Sequence, residues 1–174
     1  MNTANKLTML RVFMIPIFLI VLYWGFSGSV YVSMVIFAAA GLTDLIDGYI
    51  ARSRGQITDF GKFMDPLADK VLVVAALLWF TEQGLMPAWA VLIVVIREFA
   101  VTALRLVAAD GGTVLAAGIL GKIKTATTMV CVILMFLPIP LYAVNILIGI
   151  ILLVTIVSGV EYFVKNKKLF NWTK

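Results

Sequence analysis

Thr43-Asp44-Leu45-Ile46-Asp47-Gly48-Tyr49-Ile50-Ala51-Arg52, followed after a short connection by Gly61-Lys62-Phe63-Met64-Asp65-Pro66-Leu67-Ala68-Asp69-Lys70, puts four carboxylates at the facing ends of two long apolar blocks. An ionisable side chain inside an apolar span is expensive and marks a functional site by default. Helical periodicity decides which of these residues share a face. Asp44, Asp47 and Ala51 are three and four apart, and Asp65 and Asp69 are four apart. The short segment from Ser53 to Phe60 predicts that the two helices pack antiparallel. Asp44 stands eight residues before Arg52 and Asp69 eight after Gly61, so each is expected ~12 Å in from its helix end. Asp47 and Asp65 stand five and four residues in. The two pairs are therefore expected to meet at matched depth. Helix capping accounts for one carboxylate per terminus, and it suits Asp59, but it does not account for four.

The rest of the 174-residue chain reads as membrane protein. It is 63% hydrophobic with a mean hydropathy of +1.08, well above the composition of a soluble domain. Charge is sparse and basic, with 14 Lys and Arg against 9 Asp and Glu. These charges lie between apolar blocks, which excludes a nucleic-acid surface and suits a membrane face or an anionic lipid substrate. The single Cys131 lies within an apolar block and acts there as a small hydrophobe. The chain has no histidine, so a base or a metal ligand must come from carboxylate, Lys, Tyr or that one thiol.

Breaks at glycine, proline and charge predict an all-α polytopic protein with six transmembrane helices in a single domain, 1–174. The spans are expected at Thr8 to Phe26, Tyr31 to Arg52, Gly61 to Thr81, Ala88 to Ala108, Leu120 to Leu137 and Leu141 to Val164. The stretch before Thr8 could form a short N-terminal interfacial helix or simply begin the first span. Lys6 and Arg11 ahead of the first block resemble a signal peptide, but that block is long enough to span and five more follow. The connections after spans one, three and five carry no Lys or Arg, whereas the opposite ends carry Lys6, Arg11, Arg52, Arg54, Lys62, Lys122, Lys124 and the C-terminal lysines. The positive-inside rule puts both termini, and with them the aspartates, on the cytoplasmic side. Lys165, Lys167 and Lys168 read as an interface anchor, and Trp24, Trp79 and Trp89 as belt aromatics.

Four carboxylates in a low-dielectric site cannot all stay ionised without neutralisation. An oxygen-only ligand set suits a hard divalent cation such as Mg²⁺ or Mn²⁺. Four shared carboxylates suffice for two such ions, the arrangement used in phosphoryl chemistry. Gly48 and Ala51 leave room beside the carboxylate face for a bulky ligand, Gly61 permits close backbone approach, and Arg52 offers a planar fork to a phosphate.

These eight positions, Asp44-x2-Asp47-Gly48-x2-Ala51-Arg52-x8-Gly61-x3-Asp65-x3-Asp69, span 26 residues and resemble the complete signature of the CDP-alcohol phosphotransferase family. The resemblance implies the reaction. A CDP-linked lipid binds with its pyrophosphate on two metal ions, an alcohol attacks the lipid-side phosphorus, and CMP leaves. It implies that Asp44, Asp47, Asp65 and Asp69 hold the metals and that Asp69 is also the general base. It further implies that Gly48, Ala51, Arg52 and Gly61 line the cytidine diphosphate site. The opening Asn5-Lys6-Leu7-Thr8, with Arg11 and Pro16, is similar to the bacterial branch that makes phosphatidylglycerol phosphate, and this adds Thr8 and Arg11 to the CDP-lipid site.

That branch takes glycerol 3-phosphate as acceptor, and a second set of residues supports an anionic acceptor. Arg97 and Arg105 lie eight apart in the fourth span, and Lys122, Lys124 and Thr125 open the fifth. Together they offer charge-assisted donors to a phosphate dianion. The competing reading makes the lysines topology markers and pairs the arginines with Glu98 and Asp110. Two other functions stay open: the same chemistry with inositol phosphate, serine or a lipid as acceptor, and a small cation or proton transporter. The transporter reading lacks internal repeats to support it. The expected partners are thus CDP-diacylglycerol, glycerol 3-phosphate and the bacterial cell membrane, with no nucleic acid. Pairing of two copies into a homodimer through a flat helix face is compatible with so small a chain.

Overall fold

Among the described residues, apolar runs punctuated by glycine, proline and charge become six helices: α1 Thr3–Trp24, α2 Ser29–Arg54, α3 Asp59–Glu82, α4 Ala88–Asp110, α5 Ile119–Met135 and α6 Leu141–Lys165. The computed structural model describes the backbone of residues 3–54, 59–110, 112, 115 and 118–167, and the side chains of that set other than 3–8, 44–54, 59–67, 69 and 110. No strand occurs among the described residues. Eleven of the twelve helix termini fall within two residues of the expected span ends. The exception is the start of α1, at Thr3 rather than Thr8. A separate N-terminal interfacial helix is therefore not formed. No glycine or proline interrupts Thr3 to Met14, and helix propagation is cooperative, so the first turn simply extends the span.

Turn chemistry sets the other boundaries. Gly25 and Gly28 take φ of 73° and 92° between α1 and α2, a backbone region that a Cβ disfavours. At the end of α3, Gly84 takes φ 71°. The Gly84 N–H donates to Thr81 O at 3.0 Å and the Leu85 N–H to Phe80 O at 2.9 Å. This is the paired bonding of a Schellman stop, which satisfies the last carbonyls of the helix.

The chain forms two compact units, residues 1–76 with 132–138, and residues 77–131 with 139–174. In the first, α1 and α2 form a hairpin. Phe18, Phe37 and Phe136 pack there with ring centroids 6.0–6.2 Å apart, in the tilted and edge-on geometries that aromatic quadrupoles favour. In the second, α4 and α6 pack through Val101, Leu104 and Tyr162, with Leu115 and Phe163 at the margin. Contacts advance in the same chain direction on both helices, from Arg97 against Gly159 to Arg105 against Tyr162.

Large apolar side chains cover much of the described surface. Trp89, Leu92, Ile96, Phe99, Leu106 and Val107 form an exposed apolar stripe on α4, and α6 exposes Ile146, Leu153, Ile156, Val160 and Val164. Arg11, Ser33, Lys124, Thr128, Thr155 and Ser158 are buried. These polar side chains are buried beside a larger apolar core that includes Phe18, Phe37, Leu72, Leu77, Phe80 and Ile151. Among the described residues, one helix, Leu141–Lys165, is long and apolar enough to cross a membrane by length and composition, while Met9–Trp24 and Ser29–Thr43 are shorter apolar stretches. Trp24 and Trp89 are exposed. Trp79 is instead buried, with its ring 5.3 Å from that of Phe80. It continues the buried stripe of Leu72, Val73 and Ala76 along one face of α3.

Candidate active site

The structure carries α2 as uninterrupted helix through Asp44, Asp47, Gly48, Ala51 and Arg52, and α3 through Gly61, Asp65 and Asp69. The spacings of three and four thus act at true helical register, and each aspartate pair shares one face of its helix. Both pairs belong to the first compact unit. Their side chains, and those of Thr8, Gly48, Ala51, Arg52 and Gly61, lie outside the described residues, as does the expected meeting of the pairs at matched depth. On the described side of this region, the Thr43 hydroxyl donates back to Ala40 O at 2.6 Å, and Ala68, between Asp65 and Asp69, is buried.

Arg11, expected at the CDP-lipid site, belongs to the same unit. It is 1% exposed, among the largest fully buried side chains. Burying a cationic side chain demands anionic company.

The second set of predicted residues divides. Arg97 Nη1 donates to Glu98 Oε1 at 2.9 Å, and Lys124 Nζ donates to the same oxygen at 2.7 Å. α4 and α5 thus bring Arg97 and Lys124 together on one carboxylate. Arg105 stands apart from that oxygen. Its Nε donates to the Tyr162 hydroxyl oxygen at 3.1 Å, and its guanidinium carbon lies 5.4 Å from the Tyr162 ring centroid, within cation–π range. Lys122 is exposed whereas Lys124 is buried. Two residues apart on a helix means opposite directions, so Lys122 does not join the cluster. The Thr125 hydroxyl donates to Gly121 O at 3.2 Å, one turn back. Glu161 pairs with Lys165 one turn on.

Sequence reasoning missed Tyr162 and Gly159 as parts of this region and treated Glu98 only as a competitor for Arg97. The available signal was weak: Ser158-Gly159-x2-Tyr162 places a small residue and a polar aromatic on adjoining turns of an otherwise apolar helix.

A sequence model of the CDP-alcohol phosphatidyltransferase family matches residues 1–160. The chain is 43% identical over 183 aligned positions to the CDP-diacylglycerol–glycerol-3-phosphate 3-phosphatidyltransferase of Bacillus subtilis, covering 95% of each chain. It is 40% identical to a probable phosphatidylglycerophosphate synthase of Mycobacterium tuberculosis, covering 92% of this chain and 79% of that one. It is 37% identical to the CDP-diacylglycerol–glycerol-3-phosphate 3-phosphatidyltransferase of Wigglesworthia glossinidia brevipalpis, covering 76% and 75%. With its signature aspartates at helical register on α2 and α3, this chain belongs to the CDP-alcohol phosphatidyltransferase family.

Proposed function

We propose that this chain transfers the phosphatidyl group of CDP-diacylglycerol to glycerol 3-phosphate, releasing CMP and forming phosphatidylglycerol phosphate. The observation that carries this reading is the two pairs of aspartates at i, i+3 and i, i+4 register on the consecutive helices α2 and α3. The acceptor assignment draws on relatives of 37–43% identity whose names specify glycerol 3-phosphate.

The donor set fits a hard divalent cation. Asp44, Asp47, Asp65 and Asp69 supply only carboxylate oxygens, on continuous helices that fix their spacing. They would hold Mg²⁺ or Mn²⁺, as two ions, and the metal when bound neutralises the pyrophosphate and the charge that develops on departing CMP. Arg52 and buried Arg11 add fixed positive charge for the same diphosphate, with Thr8, Gly48, Ala51 and Gly61 framing the cytidine diphosphate. Asp69 accepts the proton of the acceptor hydroxyl. That oxygen forms a bond to the lipid-side phosphorus, and the bond from this phosphorus to the CMP oxygen breaks. Arg97, Lys124 and Arg105 bind the acceptor's phosphate, with Thr125 at the edge of the group, while exposed Lys122 stays outside it.

In this reading all six helices cross a bacterial cell membrane as one domain, 1–174, with both termini and the aspartates cytoplasmic. The exposed apolar stripes and the one-sided distribution of lysine and arginine support it. Two copies would pair through such a stripe. In a Cys131→Ser background, cysteines placed at Ser27 and Lys167 should label from opposite sides of sealed vesicles. The function itself is tested by supplying purified protein with CDP-diacylglycerol, Mg²⁺ and labelled glycerol 3-phosphate, inositol phosphate or serine in parallel. Label should enter lipid from glycerol 3-phosphate, and preferential entry from either of the others would replace the acceptor.

A further inference from the structure

The steps above give Glu98 no role, yet it holds two of the proposed acceptor-binding cations. Its Oε1 accepts from Arg97 Nη1 at 2.9 Å and from Lys124 Nζ at 2.7 Å, and the three side chains are only 12%, 17% and 6% exposed, in the order Arg97, Glu98, Lys124. Two cations brought this close in a poorly hydrated site repel each other, and each bears a desolvation cost. A carboxylate touching both removes the repulsion and fixes their donors side by side.

Arg97, Glu98 and Lys124 do not balance one another in charge. Two cations against the Glu98 charge leave a net positive charge on these three groups. The buried Arg97 Nε has no hydrogen-bond partner among the described residues. Nor do the buried hydroxyls of Thr128, one turn beyond Lys124 on α5, and Thr155, one turn before Gly159 on α6. Buried donors without partners are costly unless a ligand or water completes them.

Gly159 supplies the space. A Cβ built there would lie 3.1 Å from Arg97 Cγ, closer than ordinary van der Waals contact. The stem of Arg97 crosses α6 in a gap that a glycine leaves, the use to which small residues are put at membrane helix interfaces.

We propose that Glu98 is a positioning residue. It clamps Arg97 and Lys124 in the geometry that receives the acceptor's phosphate, and Gly159 provides the gap in which Arg97 lies. Glu98 touches the cations and not the phosphate. The assignment rests on the reading that glycerol 3-phosphate is the acceptor.

The test is steady-state kinetics of the full chain in detergent micelles, comparing wild type, Glu98→Gln and Gly159→Ala. Glycerol 3-phosphate is varied at saturating CDP-diacylglycerol, and then the reverse. Glu98→Gln keeps the shape and removes the charge. It should raise KM for glycerol 3-phosphate about tenfold, the scale of one charge-assisted bond, and leave kcat and the KM for CDP-diacylglycerol within about twofold. Gly159→Ala improves helix propensity, so it should fold at least as well, and it should raise the same KM about threefold by displacing Arg97. An unchanged or lowered KM for glycerol 3-phosphate in Glu98→Gln overturns the clamp, as does an equal rise in both KM values, which would mark a purely structural role. Should Glu98→Gln fail to fold, an unchanged KM in Gly159→Ala overturns it. Absence of glycerol 3-phosphate turnover in the wild type overturns the functional reading and the clamp with it, whereas wild-type turnover with both variants unaffected overturns the clamp alone.

Discussion

The aspartate region of α2 and α3 and the basic region of α4, α5 and α6 reach function by different routes. In the first, local spacing does nearly everything. Asp44 and Asp47 are one helical turn apart, as are Asp65 and Asp69, so once each segment is helix each pair must share a face. In the second, local spacing misleads. Arg97 and Arg105 lie on one helix, but Arg97 joins Lys124 on the Glu98 carboxylate while Arg105 packs on Tyr162. Lys122 and Lys124 are near neighbours in sequence, and one is exposed while the other is buried. Grouping of the carboxylates is written within each helix, whereas grouping of the basic side chains is assembled between helices.

That contrast can be broken at several points. The largest effect should come from removing the metal. Chelation by EDTA should abolish CMP release, with recovery on adding Mg²⁺ or Mn²⁺, because four uncompensated carboxylates cannot receive a pyrophosphate. Full activity in excess chelator would remove the metal role from the aspartates. Next, Asp69→Asn should lower kcat by ~10²–10⁴-fold, the usual worth of a general base, with the circular dichroism spectrum of a helical protein retained. Substantial residual turnover would take Asp69 out of that role.

In the basic region the effects should be smaller and should fall on KM. Arg105→Ala removes a guanidinium held by the Tyr162 hydroxyl and ring. It should raise KM for glycerol 3-phosphate about tenfold and change kcat little. Equal loss in kcat would mean that Arg105 acts in the chemical step. Lys122→Ala should be nearly silent, under about twofold in either constant, since an exposed lysine contributes little. A large KM effect there would return Lys122 to the acceptor site.

The sequence made the six helices legible because each apolar run ends at a glycine, a proline or a charge, as at Gly84 and Pro140. It made the aspartate pairs of α2 and α3 stand out because carboxylates are rare and costly in apolar spans. What it left illegible depends on tertiary packing. Trp79 looks like an interface residue by position, but the buried face of α3 takes it in. Gly159 looks like any glycine in a membrane helix until the Arg97 stem is seen against it. Tyr162 carries no motif, and only the approach of α4 to α6 makes it the partner of Arg105.

The most direct test of the whole account is CMP release by the purified chain from CDP-diacylglycerol and Mg²⁺, measured with and without glycerol 3-phosphate. Release should be negligible without the acceptor, rise saturably with it, and match the phosphatidylglycerol phosphate formed mole for mole. Release at the same rate with no alcohol present would contradict the transferase reading.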